Sequence, residues 1–187
     1  MKFKLIKMNS VTSTNDQAIK LIRKNKVKPC IIVAKKQSKG RGTMGKKWTS
    51  RKGNLFISLF FEFNLRKIKP NGFSSINPYI IRNILSKYSI YKIIIKWPND
   101  LLVKNRKLCG ILQEVIEYKN RKFLIIGIGI NTKVSPKVAN LRTISLLSCS
   151  NHIIKNNEIL IKIKLAYEKI ISGLRKGKIS YLKRRAY

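Results

Sequence analysis

The chain is poor in acidic side chains. It has 7 Asp and Glu residues against 42 Lys and Arg residues in a length of 187, which gives a formal net charge of +35. A charge of this size points first to nucleic acid, an anionic surface or an acidic partner. The basic residues lie along the whole length, however, whereas a nucleic-acid footprint is concentrated on one face. Because the 31 Lys, 30 Ile and 16 Asn residues all have A/T-rich codons, nucleotide composition is the favoured cause of the charge.

Histidine, cysteine and long apolar runs are also scarce. The three cysteines, Cys30, Cys109 and Cys149, form no CxxC pair, and His152 is the one histidine. These counts disfavour a protein zinc site and a Ser-His-Asp triad, and the cysteines are expected to be small core hydrophobes. The sequence has neither a signal-peptide core nor a run of 18 apolar residues. A reduced, cytoplasmic protein without a membrane partner is therefore expected.

The apolar residues predict one folded domain. They make up 44% of the chain, which is ample for a buried core. Apolar alternation and β-branched runs predict strands over residues 1–7, 30–34, 55–63, 91–96, 101–103, 108–118 and 122–130, the last interrupted by two glycines. Helical spacing predicts helices from residue 14, capped by Ser13 or Thr14, to about 25, over 73–87 and over 158–174. Helices placed between successive strands indicate an α+β fold with a largely antiparallel sheet.

A long basic loop containing four glycines is predicted over residues 35–53. In its segment from Gly40 to Lys47, glycines let backbone N–H groups approach an anion closely. Arg41 can form a bidentate pair with a carboxylate or a phosphate. The segment matches neither GxxxxGK[ST] nor GxGxxG after a strand, so a solvated basic loop is the alternative interpretation.

A second candidate site is Lys96-Trp97-Pro98-Asn99-Asp100, where a strand is expected to end at a proline turn. A carboxylate at Asp100 can orient Mg²⁺ or a lysine, and Lys96 can neutralise an anion. The alternative is an aspartate that caps the turn. Because the chain has so few acids, a required carboxylate is sought among Asp16, Glu62, Asp100, Glu114, Glu117, Glu158 and Glu168.

Taken in order, these motifs resemble the biotin protein ligases over about residues 5 to 147. The matching residues are Ser13-Thr14-Asn15, Gln37, Gly40-Arg41-Gly42, Gly45, Trp48, Gly53-Asn54-Leu55, KWPND at 96–100, Arg106-Lys107-Leu108, Gly110-Ile111-Leu112, Glu114 and Gly127-Ile128-Gly129-Ile130-Asn131. The resemblance implies a mostly antiparallel or mixed sheet flanked by helices, like the class II aminoacyl-tRNA synthetase fold. It implies a single catalytic domain over residues 1–187, with a helical segment at about 155–187. In a departure from the family, neither an N-terminal helix-turn-helix nor a C-terminal SH3-like domain is expected, the latter being either missing or cut off.

The activity implied by the resemblance is an ATP-dependent ligation. Members of this family convert biotin and ATP, with Mg²⁺, into biotinyl-5′-AMP and pass the biotin to a lysine of a biotin carboxyl carrier protein. The default carrier is that of acetyl-CoA carboxylase. No DNA partner is expected, and both a monomer and a homodimer are compatible with the sequence.

The resemblance also implies roles for twelve residues. Biotin binding is assigned to Ser13, Thr14, Asn15, Gln37, Arg41, Gly42, Thr43 and Lys96, and nucleotide binding to Arg41, Trp48, Lys107 and Asn131. Catalysis is assigned to Arg41, Lys96, Asp100 and Lys107. In these roles Asp100 orients the incoming amine, Lys107 meets phosphate and Asn131 bonds adenine. No protein-built metal site is implied.

One departure from the family pattern lies in the basic loop. The family loop usually reads GRGRxGR, but Thr43 stands here at the second arginine and Lys46 at the last. Lysine offers a point charge in place of a guanidinium fork, and threonine offers no charge. The sequence therefore predicts weaker retention of the adenylate and its partial release.

Three alternatives to a biotin ligase have weaker support in the sequence. A lipoate or octanoyl transferase of the same fold usually carries a His-Asp pair, and His152 lies far from any such place. A nucleic-acid-binding module is supported only by the charge. Retention of Gln37, Lys96 and Asp100 under strong compositional bias disfavours an inactive relative.

Overall fold

The structure is a computed structural model that describes residues 1–63 and 70–175, which form seven strands and three α-helices. The strands are β1 (Lys4–Val11), β2 (Cys30–Gln37), β3 (Leu55–Glu62), β4 (Ile94–Lys96), β5 (Asp100–Val103), β6 (Arg106–Tyr118) and β7 (Arg121–Ile130). The helices are α1 (Thr14–Arg23), α2 (Pro70–Leu85) and α3 (Asn156–Arg175). The end of the helical segment predicted at about 155–187 lies outside the described residues.

The strands form a single sheet in the order β1-β2-β3-β7-β6-β5-β4. β1 and β2 run parallel across the α1 connection, and every other neighbouring pair is antiparallel. This confirms the α+β fold with a mixed, mostly antiparallel sheet. The parallel pair has a physical reason, because α1 supplies the crossover that two parallel neighbours require.

Helices cover both faces of the sheet, and each face has its own apolar core. The smaller core places Ala18 and Ile22 of α1 against Ile32, Phe60 and Ile125. The larger core lies on the opposite face, beneath α2 and α3, and contains the alternate residues of β3 and β7. The three cysteines are buried and free, as expected. No helix within the described residues is long and apolar enough to cross a membrane.

Element boundaries differ from the sequence prediction in a consistent way. β1 continues to Val11 and β2 to Gln37, because the two strands pair along their whole length and this pairing extends them into polar residues. Helix α2 begins at Pro70, so that Pro78 is an interior residue. The predicted strand over 91–96 is reduced to the three residues of β4. The two glycines do not interrupt β7, which is continuous from Arg121 to Ile130.

Candidate functional site

A cavity of about 640 Å³ opens on the sheet face covered by α1, at the N-terminal end of that helix. All twelve residues named from the sequence line it: Ser13, Thr14, Asn15, Gln37, Arg41, Gly42, Thr43, Trp48, Lys96, Asp100, Lys107 and Asn131. Seven elements or loops, spread between residues 13 and 131, supply them. The tertiary structure thus brings the whole predicted set into one place, while their roles stay predictions.

Strand register places the two KWPND charges in one row across the sheet. Lys96 on β4 faces Asp100 on β5, Asp100 faces Gly110 on β6, and Gly110 faces Gly129 on β7. Directly paired residues of antiparallel strands point to the same face, so these four positions share the cavity face. Lys96 and Asp100 therefore lie beside Gly110 and Gly129, two positions without side chains that form the floor of the cavity.

Glycines allow the side chains of Asn15 and Trp48 to pack directly on that floor. A Cβ at Gly127 would lie 2.3 Å from Oδ1 of Asn15, and a Cβ at Gly129 would lie 2.4 Å from Cε2 of Trp48. At Gly110 a Cβ would lie 2.7 Å from Cζ3 of the same indole. These three glycines are required by close approach, since real Cβ atoms essentially never make contacts that short.

A β-bulge brings Lys107 to the cavity. Leu101 pairs with Cys109, but Leu102 pairs with Lys107, so Leu108 is an extra residue on β6. In a regular strand Lys107 and Gly110, three residues apart, would point to opposite faces. The bulge shifts the alternation of side chains between the two faces by one residue, so that Lys107 points to the same face as Gly110. Its Nζ then lies 2.7 Å from Oδ1 of Asp100, and both side chains are about four-fifths buried.

The N-terminus of α1 forms the polar end of the cavity. Ser13 caps the helix in an extended conformation and its Oγ accepts a hydrogen bond from the backbone N–H of Asp16 at 3.5 Å. The backbone N–H and the Oγ1 of Thr14 both donate to Oε1 of Gln37, at 2.8 and 3.1 Å. Nε2 of Gln37 donates to Oγ of Ser50 at 2.9 Å. Each of these side chains is therefore held in one orientation.

Ser58 of β3 joins this network from the sheet. Its hydroxyl is fully buried and hydrogen bonds with Oγ1 of Thr14 at 2.7 Å and with Oδ1 of Asn15. Nδ2 of Asn15 donates to Oε2 of Glu114 at 2.6 Å. The amide of Asn15 is thus fixed on both sides, with its nitrogen toward a carboxylate and its oxygen toward a hydroxyl.

Arg41 is held by two carboxylates. Its Nη1 and Nη2 donate to the two oxygens of Glu114, both at 2.8 Å, and Nη2 also lies 2.8 Å from Oδ1 of Asp16. Hydrogen bonding to Glu114, followed by the charges of both acids, raises the pKa of the guanidinium above its ordinary value. Arg41 is the first of the loop residues that line the cavity, and these ion pairs attach the loop to α1 and β6.

Asn131 closes the opposite end of the cavity, directly after β7. Its Nδ2 donates to the carbonyl of Lys107 at 3.2 Å, and its Oδ1 accepts from Nδ2 of Asn54 at 3.3 Å. Oδ1 of Asn54 accepts from the backbone N–H groups of Lys133 and Val134. Asn54 therefore shapes the chain after Asn131 and orients its side chain.

The loop over the cavity is closed on itself and exposed at its tip. The N–H of Gly42 donates to the carbonyl of Lys46, and the N–H of Trp48 donates to that of Gly40. Between them Met44 has a left-handed backbone, with φ of 54°, and is 93% exposed. The Trp48 indole turns inward, and among the described atoms its buried Nε1 has no hydrogen-bond partner.

Several residues that complete the site were not named as site residues from the sequence. Ser58, Asn54, Asp16 and Glu114 contact the predicted residues from behind, and none of them is among the described lining residues. For Asp16 and Glu114 the sequence did contain a signal, because acidic residues are so scarce that each one is a candidate for a required carboxylate. Each of the seven carboxylates forms an ion pair, and Arg41 takes two of them.

The described residues contain no group of three or more His, Cys, Asp or Glu side chains that could hold a metal ion. Asp100 is the one acidic side chain among the described lining residues. Mg²⁺ is usually bound by one or two carboxylates together with substrate phosphates. The donor set therefore fits a cation that arrives with a polyphosphate, and Asp100 is the residue that would contact it.

Comparison with known proteins places these features in a family. The model of the biotin/lipoate A/B protein ligase family matches residues 7–131. The bifunctional ligase/repressor BirA of Escherichia coli is 33% identical over 129 residues, which are 66% of this chain and 40% of BirA. The biotin–[acetyl-CoA-carboxylase] ligase of Mycobacterium tuberculosis is 26% identical over 126 residues, 63% of this chain and 44% of that protein.

Solved structures agree with the family match. The biotin protein ligase of Aquifex aeolicus, in complex with biotin and ATP, superposes with a TM-score of 0.76 and 26% identity, covering 92% of this chain and 72% of that one. The chain spans about two fifths of the length of the curated relatives it matches. From its fold, its motifs and these matches, the chain belongs to the biotin/lipoate A/B protein ligase family.

Proposed function

We propose that this chain is an ATP-dependent ligase that converts biotin to biotinyl-5′-AMP and transfers the biotin to a lysine of a biotin carboxyl carrier protein. The observation that carries the proposal is one cavity with two kinds of lining. A hydrogen-bonding end without charge, the neutral end, consists of Ser13, Thr14, Asn15 and Gln37, and the cationic end has Arg41, Lys96 and Lys107. The described residues form one sheet between two cores, which supports a single catalytic domain.

The neutral end suits the ureido ring of biotin. A ureido group has two N–H donors and one carbonyl acceptor, and it needs fixed partners of both kinds. Ser13, Thr14 and Asn15 are 2%, 5% and 2% exposed, and Gln37 locks Thr14 in place. Buried polar groups with fixed orientations reject a ligand that cannot pair with them. This end would therefore select biotin over an apolar fatty acyl chain.

The cationic end suits the first chemical step. An oxygen of the biotin carboxylate attacks the α-phosphorus of ATP, and the bond from that phosphorus to the leaving pyrophosphate breaks. Both reactants are anions, so their approach needs positive charge that is already in place. Arg41, Lys96 and Lys107 line this part of the cavity. We assign to them the screening of the two anions and of the pyrophosphate.

The second step needs a group near the acyl carbon to direct the carrier amine. The amine nitrogen attacks the acyl carbon of the adenylate, and the bond to AMP breaks. Asp100 lies opposite Lys96 in the strand register and 2.7 Å from Lys107. We assign to Asp100 the orientation of the amine, with Lys107 fixing the carboxylate.

The nucleotide is assigned to the end bounded by Trp48 and Asn131. The unpaired Nε1 of Trp48 is a donor available to a ligand, and Asn131, which also lines the cavity, has an amide held in one orientation. Trp48 packs on Gly110 and Gly129, so its ring has a defined face for stacking. Binding of ATP here would bring its phosphates toward Lys107, whose Nζ lies 5.5 Å from the centre of the indole ring.

The acceptor is proposed to be the carrier domain of acetyl-CoA carboxylase. The M. tuberculosis relative is named for that substrate. The strong positive charge of this chain would also speed encounter with an acidic carrier.

The proposal is tested by incubating the protein with biotin, ATP, Mg²⁺ and a carrier domain, and then measuring the mass of the carrier. We expect the mass increase of one biotinyl group. Lys96→Ala and Asp100→Ala should abolish it, whereas Lys92→Ala, which removes an exposed lysine just before β4, should leave it unchanged.

Two outcomes would contradict the proposal. Transfer of lipoate but not of biotin in the same assay would assign the chain to the other activity of its family. Full activity of both Lys96→Ala and Asp100→Ala would refute the assignment of the site.

A further inference from the structure

We infer that Glu114 is a positioning residue that couples the neutral end of the cavity to the basic loop. The inference rests on the proposed function, because it names a residue that acts on the ligand through others. Glu114 lies on β6 opposite Ile125 of β7, two positions beyond the glycine floor. It contacts Asn15 and Arg41, and both of these line the cavity.

The geometry gives Glu114 two tasks at once. One oxygen accepts from Nδ2 of Asn15 at 2.6 Å and from Nη2 of Arg41 at 2.8 Å, and the other accepts from Nη1 of Arg41 at 2.8 Å. Charge-assisted bidentate pairs are strong and geometrically specific. A shift of the Glu114 carboxylate would therefore displace two groups at once. These are the amide of Asn15, which faces the head group, and the guanidinium of Arg41, which anchors the loop.

Asp16 completes the attachment from the helix. It lies 2.8 Å from Nη2 of Arg41 and is next to Asn15 in α1. The loop beyond Arg41 is hydrogen-bonded mainly to itself, and the contact from Nδ2 of Asn99 to Oγ1 of Thr43 is long, at 3.4 Å. Arg41 is thus the side chain that attaches the loop to α1 and β6 by ion pairs, and two of the seven carboxylates in the chain pair with it.

Glu114→Gln is the informative substitution. The variant keeps the size of the side chain, and its carbonyl can still accept from Asn15. Its amide nitrogen, however, presents hydrogens to the Arg41 guanidinium, which has only donors. Glu117→Gln is the matched control, because Glu117 lies on the same strand, is exposed and pairs with Lys122 at the longer distance of 3.7 Å.

The first measurement needs no ligand. The rate of trypsin cleavage after Lys46 and Lys47, followed by mass spectrometry on the full chain, reports the attachment of the loop. We expect Glu114→Gln to raise this rate about tenfold and Glu117→Gln to leave it within twofold of the wild type. Equal rates in Glu114→Gln and the wild type would overturn the inference, whether or not the protein binds biotin.

The second measurement is the dissociation constant of biotin by calorimetry. We expect Glu114→Gln to raise it about tenfold, and no further rise when Glu114→Gln is added to Arg41→Gln. A merely structural role would give a similar rise on both backgrounds, and that result would refute positioning through Arg41. Failure of the wild type to bind biotin would instead contradict the proposed function, and the cleavage rates would still decide the role of Glu114.

Discussion

The two ends of the cavity are built on different physical principles. At the neutral end, buried and half-buried side chains from α1, β2 and β3 hold one another through hydrogen bonds between uncharged groups, and Asn15 also donates to the carboxylate of Glu114. At the cationic end, long side chains reach the cavity from a loop, from the edge strand β4 and from β6, and ion pairs hold two of them. Burial makes the first end rigid before any ligand arrives, while partial exposure leaves the second end able to exchange partners.

This difference matches the tasks proposed for each end. Recognition of a neutral ring requires donors and acceptors in fixed positions, since an unpaired buried polar group is costly. Binding and release of phosphates require cations that can move from a protein carboxylate to a ligand and back. Substitutions at the neutral end, and at Arg41, which Glu114 couples to it, should therefore affect biotin binding. Substitutions of the lysines at the cationic end should affect chemistry and retention of the intermediate.

The largest effect is expected from removing a cation of the second end. Lys107→Met should lower the rate of biotinyl transfer about 10²–10³-fold, because a preorganised charge near the reacting phosphates is lost. The affinity for biotin alone should change less than threefold. Single-turnover kinetics and calorimetry provide the two numbers. Lys122→Met removes a lysine from another ion pair with a carboxylate and should change neither.

Adding a methyl group at a glycine of the cavity floor should distinguish the contributions of the two ends to ligand binding. Gly127→Ala would press on Asn15, which is fixed on both sides, and should raise the dissociation constant of biotin about 10–100-fold. Gly129→Ala would press on Trp48, which is carried by the loop, and should weaken ATP more than biotin. Calorimetry with each ligand tests this; equal effects of both variants on biotin would contradict the division of the cavity.

The loop departure predicts a smaller effect. Thr43 lines the cavity at a position where the family pattern has arginine, and a guanidinium there would add a charged fork beside the adenylate. Thr43→Arg should reduce the release of free biotinyl-5′-AMP about tenfold. Chromatography of reactions with and without carrier measures the released adenylate. Absence of detectable release from the unaltered chain would show that Thr43 does not weaken retention.

The smallest effect is expected far from the cavity, on stability. Burial alone would raise the pKa of Glu168, but Lys164 and the backbone N–H of Phe3, each 2.7 Å away, together hold it below its ordinary value of 4.5. A lowered folded pKa stabilises the native state above about pH 4.5, and this contribution is lost as the pH falls through the folded pKa. Glu168→Gln should thus lower the unfolding free energy by about 1 kcal/mol at pH 7.

Thermal unfolding at several pH values tests this last prediction. The Tm difference between Glu168→Gln and the wild type should be about 2–4 °C at pH 7 and should vanish in acid. Glu158→Gln on the same helix is the control, because its pair with Lys155 is exposed and should contribute little. A difference that persists unchanged at low pH would contradict the proposed linkage.

Much of the fold was predictable because its signals are local. The cap at Ser13 or Thr14, the apolar run of β3 and the apolar spacing in α3 depend only on neighbouring residues, and the structure confirms these elements, with Ser13 as the cap. Their boundaries were less predictable. β2 extends through Lys35 and Lys36 because pairing with β1 satisfies the backbone there, and propensity does not report that pairing.

The candidate site was likewise predictable only in part. The sequence by itself determined which twelve residues were predicted for the site, since the motifs that carry the family resemblance are properties of the chain. Only the tertiary structure decided that Lys107 faces the cavity and that Arg41 is held by Asp16 and Glu114. A bulge and an ion pair depend on hydrogen bonds and charges between residues that are remote in sequence. Strand register, which no local pattern records, brings those residues together.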